Sequence, residues 1–228
     1  MKGIKKLYVY GDSFVYGDNL PQDLTWPNLL GKSLKIKCFN RGISGGSNKL
    51  SVFRLFEDIH NDNFKDALVI FAWTGIHRDC YYDELAGQWY SLLPSYRNRQ
   101  RVKKMIEEVY WNFMHTDLEA TLNNFLQCIL IQSFLGSKGV PYAFINSFRD
   151  AEGAEQITPD SCKKIEESLD KKRFLLGFEN SIRREICLNR SLLGSDNFHP
   201  SLEGHIMASV LIKEDLESKL ESIFGELK

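Results

Sequence analysis

The sequence predicts an α/β protein, a doubly wound parallel sheet with helices on both faces. Two observations carry that expectation. Short apolar runs with strand character alternate with stretches of helical periodicity, and each run is followed by Gly, Arg, Thr or Ser. The chain has 228 residues, 43% of them hydrophobic and 26% charged, which is enough apolar material for one ordinary globular core. The whole chain, 1–228, is therefore read as one domain.

The elements follow in order. Residues 7–10 form the first predicted strand, which ends at Gly11-Asp12-Ser13. A helix starts at Thr25-Trp26-Pro27, with proline in the first turn, where its missing N–H costs nothing. Residues 36–40 are the second strand. Residues 47–59 are a helix, with Leu50, Phe53 and Phe56 on one face. The third strand is 67–73. Residues 118–136 form a helix carrying Leu122, Phe125, Leu126, Ile129 and Leu130, and 142–146 the fourth strand. Polar residues 149–172 read as a loop and then an exposed helix. A fifth short strand is expected between 174 and 193, without a defined position, and the last helix spans 201–224. Residues 76–117 break this rhythm. Eight aromatics, Tyr81, Tyr82, Trp89, Tyr90, Tyr96, Tyr110, Trp111 and Phe113, mark a helical insertion after the third strand. It is expected to act as a lid or subdomain. Its aromatics suit either a small local core or contact with a sugar or acyl chain.

The bulk chemistry excludes several functions. A formal net charge of -1 gives no global pull toward nucleic acid or anionic membrane. The basic run 97–104 beside Tyr96 reads as a solvated helix start, with a phosphate contact as the rival, so nucleic acid is not an expected partner. No apolar run reaches the length of a membrane span. The run after the basic N-terminus breaks at Gly11-Asp12 and reads as a strand rather than a signal peptide. Five cysteines at wide, irregular spacing suggest neither disulfides nor a zinc site. His60, His77, His115 and His205 show no metal-ligand spacing, and His205 is expected to pack in the last helix. No cofactor and no metal are expected. A reducing, cytoplasmic setting fits, and a phage-encoded protein would read the same.

Two distant fragments carry the chemistry. Ser13 follows the first strand, on the rim where open α/β sheets place their sites. Asp196-Asn197-Phe198-His199-Pro200 lies near the other end. Asp196 lies three residues before His199, close enough for it to hold one ring nitrogen and leave the other for a serine. The plain alternative makes Ser13 and Asp196 helix N-caps.

These residues resemble the SGNH hydrolases, also called the GDSL esterase/lipase family. Gly11-Asp12-Ser13 is similar to the nucleophile block, and Trp26-Pro27 with Leu30 to the helix that commonly follows. Asn40-Arg41-Gly42-Ile43-Ser44-Gly45-Gly46 is similar to the glycine block, and Asp196, His199, Pro200, Gly204 and His205 to the base block. The resemblance covers nearly all the chain outside 76–117. It implies a three-layer α/β/α, flavodoxin-like fold and a serine esterase acting through an acyl-enzyme on Ser13. His199 would be the base, Asp196 its orienting partner, and the N–H groups of Ser13 and Gly45 the oxyanion donors. One block departs from the family. Where Gly-x-Asn-Asp is usual, this chain has Ala72-Trp73-Thr74-Gly75-Ile76-His77-Arg78. The Asn position falls on Thr74 or Gly75, so Thr74, His77 or Arg78 is left to rebuild the oxyanion site. The expected substrate is a small acyl ester, such as an O-acetylated carbohydrate. The alternative is a binding or structural module that has lost the chemistry.

Overall fold

The computed structural model describes residues 3–62, 64–93, 101–147, 160–187, 189–220 and 223. Its elements are β1 (Lys6–Gly11), α1 (Ser13–Tyr16), α2 (Trp26–Leu34), β2 (Lys37–Gly42), α3 (Asn48–Asp62), β3 (Ala67–Trp73), β4 (Asp79–Asp83), β5 (Gln88–Leu92), α4 (Arg101–Val109), α5 (Asp117–Ser137), β6 (Tyr142–Asn146), α6 (Asp160–Glu166), α7 (Ile182–Cys187) and α8 (Leu202–Ser218).

Four strands form a parallel sheet in the order β2-β1-β3-β6, the doubly wound pattern expected from alternating strands and helices. All seven residues of β3 are buried, as a central parallel strand covered on both faces requires. Its side chains alternate between two cores. Leu68, Ile70 and Ala72 join Leu7 and Val9 of β1, Trp26 and Leu30 of α2, and Ile212 of α8. Val69, Phe71 and Trp73 join Tyr8 and Tyr10 with Leu55 of α3 and Ile131 of α5. The sheet is thus the middle of three layers. The expected fifth strand is reduced to one parallel bridge, Phe144 with Phe174, where the Leu175 N–H donates to the Phe144 carbonyl.

Two helix faces differ from the expected ones. Helix α3 buries Asn48, Ser51, Val52 and Leu55, whereas Phe53 is 43% exposed and its ring meets Trp89 of β5. Helix α5 buries Phe125, Cys128, Ile131 and Leu135 and leaves Leu126 and Leu130 about half exposed. In α5 the near-continuous apolar sequence does not define which stripe meets the sheet; in α3 polar Asn48 and Ser51 turn inward to donate to the Thr74 and Gly11 carbonyls. Among its described residues, the 76–117 segment is helical only from Arg101 onward. It opens with an antiparallel β4–β5 hairpin, whose Tyr81 stacks on Tyr90 and whose Tyr82 meets Trp89 edge-on. The Tyr96 position, residues 97–100, the 149–159 loop and Phe224 lie outside the described residues, as do the side chains of 101–104. Among the described residues no helix is long and apolar enough to cross a membrane, and Cys38, Cys80, Cys128 and Cys162 are free thiols.

Candidate active site

The C-terminal ends of three adjacent strands deliver the predicted residues to one rim. Ser13 follows β1, Gly45 follows β2, and 74–78 follow β3. Asp12 caps α1, its Oδ1 accepting from the Phe14 N–H at 3.0 Å. Ser201 caps α8 through the Gly204 N–H. Neither Ser13 nor Asp196 is therefore a helix N-cap. Tight approach holds α1 in place: a Cβ on Gly42, at the end of β2, would lie 2.2 Å from the Tyr16 nitrogen. The Trp26 indole donates to the Phe14 carbonyl at 3.0 Å, and the Trp26 N–H donates to His205 Nδ1 at 3.1 Å. One buried tryptophan thus joins α1 and α2 to α8.

The loop that carries Asp196 and His199 is closed by the Leu193–Pro200 bridge and by the Gly194 N–H, which donates to the His199 carbonyl at 2.7 Å. Within it, His199 Nδ1 lies 2.5 Å from Asp196 Oδ2. Asp196 Oδ1 accepts from the backbone N–H groups of Phe198 and His199, both at 2.9 Å. Burial alone would raise the Asp196 carboxyl. The His199 hydrogen bond and the two backbone donors outweigh it and lower its pKa to about 2. Asp196 is thus ionised and aims His199 Nε2 away from itself.

Ser13 and His199 line one cavity of about 530 Å³, together with Gly45 and Arg78. The Ser13 side chain has no hydrogen bond to another described residue, and His199 Nε2 sits 3.5 Å from Asp18 Oδ2. Asp18 also accepts from the Ser44 hydroxyl at 2.8 Å. Neither the Ser13 nor the Gly45 N–H donates to a described backbone carbonyl, and Gly45 takes a left-handed φ of 67°. Thr74 and Gly75 are not part of the cavity wall. The Thr74 hydroxyl donates to buried Asp12 Oδ2 at 2.5 Å, and its N–H donates to Asn48 Oδ1 at 2.8 Å. Arg78 does reach the cavity: its Nη1 lies 3.5 Å from both Asp12 Oδ2 and the Gly46 carbonyl, with only 13% of the side chain exposed.

Sequence reasoning missed part of this wall. Asp18 is brought back toward Ser13 by Gly17, which ends α1 in a left-handed conformation. Leu93 and Glu107 come from the 76–117 segment, where no motif marks them, and join Tyr90, one of the aromatics expected there. It also missed a meeting of histidines. His77 Nδ1 is 3.0 Å from His115 Nε2 and 3.8 Å from Asp117 Oδ1, although the two histidines stand 38 positions apart in the chain. Burial, and secondarily the adjacent His77, hold His115 below the ordinary imidazole value. His205 is fully buried in α8, as expected.

Residues 18–181 match the family of unknown function DUF6071. The chain belongs to that family. No curated protein matches this DUF6071 chain. Among solved structures it is similar to the psychrotrophic esterase EstA from Pseudoalteromonas sp., a structure inhibited by monoethylphosphonate, with 14% identity, 96% of this chain and 97% of that one covered, and a TM-score of 0.56. TesA is similar at 14% identity, 96% and 99% coverage and a TM-score of 0.58. A putative lipolytic protein of the G-D-S-L family from Desulfitobacterium hafniense DCB-2 is similar at 15% identity, 93% and 99% coverage and a TM-score of 0.53. The DUF6071 chain thus has the fold of the SGNH (GDSL) hydrolases, with a divergent third block.

Proposed function

We propose that the chain is a serine esterase that hydrolyses or transfers a small acyl group. The observation that carries this reading is the 2.5 Å Asp196–His199 contact on the wall of the cavity that Ser13 also lines. In the reaction, the Ser13 hydroxyl attacks the ester carbonyl while His199 Nε2 takes its proton. Asp196 keeps the proton-bearing Nδ1 oriented and stabilises the imidazolium. The imidazolium then protonates the leaving alcohol, and water, deprotonated by His199, releases the acid from the acyl-enzyme. For attack, Nε2 must exchange Asp18 for the Ser13 hydroxyl, a contact that commonly tightens only with substrate bound.

The N–H groups of Ser13 and Gly45 are read as oxyanion donors, and Arg78 as the replacement for the absent Asn. Thr74 is bound to Asp12 instead. The 76–117 segment is read as a lid within a single domain, since it supplies Arg78, Tyr90, Leu93 and Glu107 to the cavity. Tyr90 beside polar Ser91 and Glu107 suits an acylated carbohydrate. Four described free thiols support a reducing, cytoplasmic setting.

Turnover of a chromogenic short-chain ester tests the reading. Ser13→Ala should lower kcat by at least about 10³-fold and abolish fluorophosphonate labelling. Equal turnover by the variant would remove the nucleophile. A second reading, a scaffold without chemistry, is motivated by Thr74 standing where an amide donor is usual. It requires that the wild-type protein neither turn over esters nor label at Ser13.

A further inference from the structure

We propose that His77, His115 and Asp117 form a site for one divalent transition-metal ion of the zinc class, clamping the end of the 76–117 segment to the loop after β3. The ligand atoms all lie within 4.8 Å of one another. A tetrahedral ion with bonds of about 2.0–2.1 Å needs donor atoms roughly 3.3 Å apart, and the 3.0 Å and 3.8 Å separations bracket that value. Two imidazole nitrogens that close either share one proton or share a metal. The donor set of two nitrogens and one oxygen suits zinc-class ions; magnesium and calcium call for more oxygen donors.

The surroundings fit such a site. Trp111 meets the His115 ring at 4.6 Å between centroids, and the His115 N–H donates to the Tyr110 carbonyl at 2.9 Å, so ring and backbone are both held. Asp117 is the first residue of α5, after the Thr116 cap, and its side chain is 89% exposed. An ion can therefore enter from solvent and keep water as its fourth ligand. His77 directly precedes Arg78, so a bound ion would also fix the loop that carries Arg78 into the cavity.

The experiment is a titration of chelator-treated full-length protein with Zn2+, and with Co2+ as a spectroscopic reporter. His199→Ala serves as the background, because His199, Asp196 and Asp18 form a rival imidazole–carboxylate cluster. One equivalent is expected to bind, to give the absorption of a low-coordinate Co2+ site, and to raise the thermal midpoint. His77→Ala and His115→Ala should each weaken binding on the order of a hundredfold, and the exposed Asp117→Asn by about tenfold. Unchanged affinity in the His77→Ala and His115→Ala proteins, or no bound ion in the background protein, would overturn the site. Neither outcome bears on ester turnover, so this test stands apart from that of the esterase reading.

Discussion

Asp196 uses both carboxylate oxygens, one for the His199 ring and one for the loop that carries it. An amide at this position can still meet the ring, but its NH2 end favours the wrong tautomer. Asp196→Asn should therefore lower kcat by about 10⁴-fold with little change in KM, as read by steady-state ester kinetics on a correctly folded variant. Arg78 sits differently: it touches Asp12 and the Gly46 carbonyl and reaches the same cavity as Ser13. If it replaces the missing amide donor, Arg78→Met should lower kcat by about 10²–10³-fold while Ser13 still labels. An unchanged kcat would leave the oxyanion to backbone N–H groups alone.

The short helix α1 is positioned by what packs around it. Trp26 is fully buried and bonded to the Phe14 carbonyl, one residue beyond Ser13, the proposed nucleophile. Trp26→Phe keeps most of the apolar volume but removes the buried indole hydrogen bond to that carbonyl, so it should cost about 1–3 kcal/mol, measured as a lower denaturant midpoint with the slope unchanged. The bounds of β3 and β6 were legible in the sequence, because short apolar runs between turn residues allow few alternatives. The inward faces of α3 and α5 were not, since α3 turns polar Asn48 and Ser51 inward while Phe53 faces out, and Leu126 is as apolar as the α5 residues that turned inward. The β4–β5 hairpin was also hidden, because aromatic residues suit strands and helices alike.

Stability toward acid belongs to the molecule as a whole, through a histidine locked between helices. His205 Nδ1 accepts from Trp26, and its Nε2 has no partner among the described residues. Burial, and secondarily the nearby His199, lower its pKa from 6.5 to about 4. The folded-state value lies below the unfolded one, so the protection is complete above pH about 6.5 and fades as pH falls toward 4. The unfolded chain takes up a proton there that the folded one refuses. A loss of about 3 kcal/mol across that window is expected, and His205→Gln should flatten it in pH-resolved denaturation curves.

What the sequence by itself determined is local or periodic: strand–helix alternation, the Gly-Asp-Ser turn, and an Asp–His pair three residues apart. Chain connectivity nearly dictates these, because neighbours in sequence have few ways to be arranged. What only the tertiary structure decided is every meeting across long separations. Asp18 faces His199, Thr74 turns to Asp12 rather than to the cavity, and His77 reaches His115. Such contacts depend on how helices and loops pack over a sheet rim, and no spacing along the chain encodes that packing.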